Sequence, residues 1–354
     1  MSHAERVLTA VDFGKSDRTP VWDAYHFPGF VENWRRWKGV GAETTPRDHY
    51  GMDVAICMGD ESFFPSRQGH VRNEGDYGIW RDGWGRTIRV GKKDSYFDQT
   101  LDSLLDDTSN LDRLTFEPAS LETRYDGLAE RVAAEREAGR CVFAKIGGIY
   151  VRGHFARGEE RLLVDMALDP PFCDELFDRV ARHFTDMAIE TLRRTDAWET
   201  GLFVYDDMAG LNGPMFSPAM FERYFLPRYK KMIEEIRLAG CKRFFLHSDG
   251  DIRPVMDMLL DAGFQGFHPL EPRAGIDPVK LREKYGRRAV FFGGVCNTLV
   301  LPGGDRAEIR RRIGPLVELA RDGGYVVGTA SIFDDISPEA YDFYMSLVGR
   351  PLKD

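Results

Sequence analysis

Along this chain, short apolar runs closed by Gly, Pro or Asp alternate with longer stretches of helical period, the rhythm of strand–helix units. The runs predict strands at 20–24, 53–58, 141–147, 201–206, 243–247, 263–268, 288–293 and 324–328. Eight such units close a (β/α)8 TIM barrel, and no linker or low-complexity tract divides the sequence, so one α/β barrel domain over residues 1–354 is expected. Residues 217–239 read as a helix with Ser217 at its cap, Pro218 at its start and Gly240 beyond its end; 252–261 read as a shorter one stopped by Gly263. The gap between the second and third strands is too long for a simple crossover. Within it, residues 77–92 alternate apolar and polar positions around Asp82-Gly83, the pattern of a hairpin. The barrel should therefore carry an N-terminal extension and a hairpin insertion after strand two, with 59–139 forming an insertion and lid region at the C-terminal face. A doubly wound sheet shares the alternation, but no GxGxxG follows any of these strands.

Composition narrows the partners more than the fold. A hydrophobic fraction of 43% and a charged fraction of 30% suit a chain that buries a full core. The formal net charge of -9 gives no electrostatic reason to hold nucleic acid or an anionic membrane surface. No segment approaches the ~20 apolar residues needed to cross a bilayer, so a cytoplasmic protein is expected. The five cysteines are odd in number and lack CxxC spacing, which predicts reduced thiols; Cys57 and Cys141 lie in apolar runs and are expected to be inert.

In a barrel of this kind the polar residues after each apolar run converge on one mouth. Here they are dense: Asp23, Tyr25 and His26 follow the first run, Asp60 and Glu61 the second, Tyr205, Asp206 and Asp207 the fourth, His247 and Asp249 the fifth, Glu271 the sixth and Cys296 the seventh. The group Asp206, Asp207, His247, Asp249 and Glu271 suits either a divalent metal or a proton-transfer set. Each acid also has an ordinary structural role open to it. Asp206 or Asp207 would cap a turn, Asp249 the helix near Pro254, and Glu271 would pair with Arg273. His268, within an apolar run, reads as a satisfied histidine lining the barrel. Exposed barrel faces often pair, so a homodimer is the expected alternative to a monomer.

The motifs RTPVW (Arg18 to Trp22), DGWG (Asp82 to Gly85), YDDMAG (Tyr205 to Gly210), FSPAMFERYFLPRYKK (Phe216 to Lys231) and HSDGDI (His247 to Ile252) resemble the uroporphyrinogen decarboxylase superfamily. HPLEPRAGIDPVKLREKYG (His268 to Gly286) and FFGGVCNTLVL (Phe291 to Leu301) extend the similarity over nearly the whole chain. The resemblance implies the barrel fold and two kinds of activity. The decarboxylases hold tetrapyrrole carboxylates with arginines after the first strand; the matching stretch from Pro20 to Gly29 contains no arginine, and Asp23 there would repel a polycarboxylate. Asp60 falls at the place of that family's catalytic aspartate, yet its tyrosine falls near Phe155 and no histidine follows His268.

The other branch transfers methyl groups between corrinoid proteins and thiols on a zinc held by a His-x-Cys pair and a later cysteine. Here the pair reads His247-Ser248-Asp249 and the later cysteine is missing, which implies a harder, more Lewis-acidic centre than a thiolate site. The expected enzyme is methyltransferase-like and acts on a small methylated or carboxylated metabolite, with Zn2+ or another divalent metal on His247, Asp249 and Glu271 and a corrinoid on a partner protein. His247, Asp207, Tyr205 and Asp60 are the expected catalytic groups, and Asp23, Tyr25, His26, Tyr150 and Cys296 the expected substrate contacts. Decarboxylation is the alternative chemistry. A barrel that binds a ligand or partner without catalysis is the alternative class.

Overall fold

A computed structural model describes residues 1–92 and 98–349. Eight strands, β1 (Val21–His26), β2 (Val54–Cys57), β3 (Cys141–Gly147), β4 (Leu202–Tyr205), β5 (Phe244–His247), β6 (Gly266–His268), β7 (Val290–Gly294) and β8 (Tyr325–Ile332), form one sheet in the order β1-β8-β7-β6-β5-β4-β3-β2. Every ladder within it is parallel, and helices cover its outside, as a (β/α)8 barrel requires. Each predicted run holds one strand. β8 continues past the predicted end because Thr329, Ser331 and Ile332 still pair with Asp23, Tyr25 and His26 of β1, and two polar side chains disguise that continuation in the sequence.

Among the described residues no ladder joins β1 to β2. Asp53 closes that seam: its amide donates to the Val21 carbonyl (3.0 Å) and its Oδ2 accepts from the Val21 amide (2.8 Å). Arg6, Arg18 and His3 surround the same buried carboxylate. Arg6 and His3 come from the N-terminal extension, the helix His3–Val11, which starts on a Ser2/Glu5 capping box. Val7 and Val11 of this helix join the inward cluster of Trp22, Phe143, Phe203, Phe245 and Phe292, so the extension plugs the N-terminal end of the barrel.

Side chains alternate along a strand, so the residues two places beyond Phe143, Phe203 and Phe245 face the same interior. They are Lys145, Tyr205 and His247, which stand above an aromatic floor whose rings lie 5.1 Å (Phe203–Phe245) and 5.6 Å (Phe143–Phe245) apart.

The insertion after β2 is a four-stranded antiparallel meander, Gly69–Glu74, Tyr77–Arg81, Thr87–Gly91 and Asp98–Asp102. The predicted hairpin is its middle pair, but the turn is wider than an Asp-Gly reversal. Arg81 pairs with Thr87, and Asp82 Oδ1 accepts from the amides of Trp84 (3.0 Å) and Arg86 (2.8 Å), which holds a longer loop. The predicted helix 217–239 is likewise interrupted: Pro218–Met220 leads through a π turn at Phe221–Phe225 into Leu226–Leu238. Pro227 has no N–H for the Arg223 carbonyl, and the helix widens there. The helix expected at 252–261 starts later, at Met256–Ala262, because Asp251 folds Arg253 into a turn first.

Candidate active site

The interior face of β5 ends on His247, which is buried between the ends of β4 and β6. The Tyr205 ring stacks on it at 4.1 Å with an interplanar angle of 15°. On the other side its Nδ1 lies 2.6 Å from Nδ1 of His268, and His268 in turn stacks against Trp22 at 4.4 Å. One of the two facing nitrogens must carry the proton. With the proton on His247, Nδ1–H donates to His268 and Nε2 is left with a free lone pair.

That Nε2 looks at two carboxylates, Asp207 Oδ1 at 3.5 Å and Asp249 Oδ1 at 3.9 Å. The chain turns sharply after β5 to bring Asp249 back over the imidazole. Gly250 sits in this turn at φ +80, where a Cβ would collide with the Ala209 carbonyl, so no larger residue fits. The Asp249 amide donates to Asp207 Oδ1 (3.0 Å), and the Gly250 amide donates to Glu271 Oε2 (2.8 Å).

The donor atoms of Asp207, His247 and Asp249 all lie within 4.8 Å of one another. Ligands of a small divalent ion sit ~2.1 Å from it and hence ~3.4 Å apart at a tetrahedral centre, close to the spacing found. Asp249 Oδ1 is shielded from solvent and has no hydrogen-bond partner among the described residues, although the side chain as a whole is about half exposed. An orphaned carboxylate oxygen facing a lone pair and a second carboxylate is a mismatch that a cation resolves. The electrostatics agree: burial, with Asp207 and Glu271 adding to it, pushes the Asp249 carboxyl up to about 7. Burial pulls His247 below its ordinary value while Asp207 opposes it, and burial with the neighbouring His247 drives His268 far down, so both imidazoles are held neutral.

The structure thus gathers Tyr205, Asp207, His247 and Asp249. It does not place Glu271 in that trio, and Asp207 stands where Glu271 was expected as the third ligand. Asp206 has an ordinary role on a different element from the one expected. Buried, it accepts the Tyr150 (3.0 Å) and Val151 (2.7 Å) amides and the Tyr229 hydroxyl, which caps the helix Ile149–Arg157 from β4. Asp249 caps nothing; Val255 occupies the N-cap near Pro254.

The expected substrate contacts lie apart from the trio. Asp23 alternates outward from Trp22 and Ala24 and receives the hydroxyls of Tyr341 (2.8 Å) and Tyr344 (3.2 Å) from the C-terminal helix Pro338–Leu347. His26 meets the same Tyr341 at 2.8 Å, and its burial pulls it down to about 3. Tyr25 is largely exposed and meets Phe27 edge-on. The Tyr150 hydroxyl donates to Glu159 (3.1 Å). Cys296 lines a separate groove of about 740 Å³ with Val279 and Leu316. Asp60, the expected catalytic aspartate, has its oxygens taken by Ser62 and Gln68 at the root of the insertion.

The sequence reading missed Lys145 and Arg152, and it placed Glu61 at the mouth without giving it a role. Lys145 Nζ is buried in the barrel, 2.6 Å from Glu61 Oε1 and 5.2 Å from the centre of the Tyr205 ring. Arg152 reaches the same oxygen at 2.9 Å and lies over the Trp84 ring at 4.3 Å. The signal was present: in CVFAKIG the lysine has the parity of Cys141 and Phe143, both inward.

The family model described as uroporphyrinogen decarboxylase (URO-D) matches residues 148–350. No curated protein matches the chain. Among solved structures, a methyltransferase from Methanosarcina mazei has a similar fold at TM-score 0.67 and 14% identity, over 98% of each chain. A sugar phosphate isomerase/epimerase from Parabacteroides distasonis is similar in part, at TM-score 0.31 and 13% identity over 66% of this chain and 78% of that one.

Proposed function

The chain belongs to the uroporphyrinogen decarboxylase family, and from its mouth we propose a methyltransferase-like enzyme that acts on a small methylated or carboxylated metabolite with a divalent cation held by His247, Asp207 and Asp249. The observation that carries this reading is the orphaned Asp249 Oδ1 opposite His247 Nε2. The likeness in fold to the Methanosarcina methyltransferase is consistent with it. The donor set is one nitrogen and two oxygens, which favours Zn2+ or a comparably borderline ion over a soft thiolate-bound one.

When bound, such a cation supplies Lewis acidity toward an oxygen or sulfur of the substrate. The chain's own residues prepare the place. His268 fixes the His247 tautomer by accepting its Nδ1 proton, Tyr205 holds the imidazole plane by stacking, and Trp22 holds His268. The insertion, through Glu61 and Trp84, meets Arg152 of the helix Ile149–Arg157 and so walls one side of the mouth. Asp60 takes no part in the proposal, because both its oxygens are engaged by Ser62 and Gln68 at the root of the insertion.

Metal analysis and titration of protein prepared without chelators test this directly. Wild type should retain a stoichiometric divalent ion, and His247→Ala and Asp249→Asn should each lose it. Methyl transfer should be assayed on the same samples, with free methylcobalamin as a stand-in for a corrinoid protein. Wild type with no measurable metal affinity, or a His247→Ala protein that binds as wild type does, would overturn the reading.

A further inference from the structure

The described mouth has two poles. One is the acid group around His247. The other is Lys145, Glu61 and Arg152, which share a single oxygen: Glu61 Oε1 receives Lys145 at 2.6 Å and Arg152 at 2.9 Å. Two cations against one carboxylate leave a net positive charge in a place where Glu61 and Lys145 are only 5% and 7% exposed.

The hydrogen bonding there is incomplete. An ammonium carries three donors, yet among the described residues Lys145 Nζ has one hydrogen-bond partner. Arg152 Nε and Glu61 Oε2 are also buried and have none among the described residues. Unfilled donors on two buried cations are costly unless something outside the chain fills them. Tyr205 spans the poles, with Lys145 Nζ over its ring and His247 stacked on it.

We propose that Lys145 and Arg152 form a carboxylate subsite that selects monoanionic substrates and lays their tails across Tyr205 toward His247. The inference rests on the metal-centred reading above and adds the substrate's charge class to it. A monoanion neutralises the group. A dianion overshoots beside Glu61, Asp207 and Asp249, and a neutral molecule leaves the donors unfilled. Charge-assisted hydrogen bonds from an ammonium and a guanidinium are the strong kind, so the preference should be large.

The test uses three probes of similar size: methoxyacetate, neutral 2-methoxyethanol and dianionic malonate. Their binding is measured by calorimetry and ligand-observed NMR on the full chain, with and without Zn2+. Wild type should bind methoxyacetate at least about tenfold more tightly than either of the others, and Lys145→Met should reduce it to the level of the neutral ether. Because that variant strands Glu61 and risks misfolding, Glu61→Gln provides the second arm. It adds one positive charge to the group and should shift the preference toward malonate. Equal binding of methoxyacetate and 2-methoxyethanol by wild type, no binding of methoxyacetate, or a Glu61→Gln protein with unchanged charge preference would each overturn the subsite. Metal affinity is read on the same samples. Its loss with the charge preference intact counts against the metal site alone, and the reverse pattern counts against the carboxylate subsite alone.

Discussion

Replacing Asp23 by Asn should make the protein more stable at alkaline pH and leave the mouth untouched. Asp23 is sealed between β1 and the C-terminal helix, with Tyr341 and Tyr344 donating to it. Burial raises its carboxyl from 3.8 to about 7, and the hydrogen bonds from Tyr341 and Tyr344 offset only part of that. The folded state therefore keeps the proton over a range in which the unfolded chain has released it. Stability from this group is full below about pH 4, falls by ~1.4 kcal/mol per pH unit, and is lost by about pH 7. Across a shift of roughly three units this amounts to about 4 kcal/mol. An Asn side chain keeps an acceptor for Tyr341 and cannot ionise. His26, on the same tyrosine, is pulled down to about 3 by burial when folded and titrates near 6.5 when unfolded, a contribution that wild type and variant share and that cancels in their difference. Urea unfolding followed by circular dichroism and tryptophan fluorescence, at steps between about pH 4 and pH 8, should show the advantage of Asp23→Asn over wild type growing toward that limit. A difference that stays flat across the window would refute the argument, and loss of metal retention in the variant would return Asp23 to the mouth.

Other outcomes follow from the same contacts. His268→Phe should weaken metal binding by about 10–100-fold without removing a ligand, because His247 loses the acceptor that fixes its tautomer; titration with Zn2+ measures it. Asp206→Ala should cost on the order of 4 kcal/mol in equilibrium unfolding, since two helix amides and the Tyr229 hydroxyl lose their acceptor in a dry place. Gly148→Ala should be destabilising in the same assay, as its new methyl collides with the Asp206 side chain. Chelation should lower the unfolding midpoint by the equivalent of ~3 kcal/mol where free metal had been at 100 times its Kd.

The barrel was legible because each strand is an apolar run bounded by turn residues, and nothing tertiary contradicts that pattern. The mouth was legible only in part. His247, Asp207 and Asp249 could be singled out as polar residues after runs, but the same rule also collected Asp23, whose outward direction follows from alternation against Trp22 and Ala24. Lys145 was hidden for the opposite reason: it lies inside a run, and its partner Glu61 comes from a different element. Asp206 and Asp207 are adjacent with opposite fates, because successive side chains leave a strand end on opposite faces. The π turn at Phe221–Phe225 and the late start at Met256 depend on Pro227 and on the Asp251–Arg253 contact, which periodicity does not register.

The polar clasp at Asp53 has a mechanical consequence. A cylinder held, among the described residues, by seven ladders and one knot of side chains should open first at the knot, where charged side chains stand in for a backbone ladder. In the circular order of staves the joint between β5 and β6 lies diametrically opposite. His247 and His268 face each other across that joint, which sets the site as far around the wall as possible from the seam without a ladder.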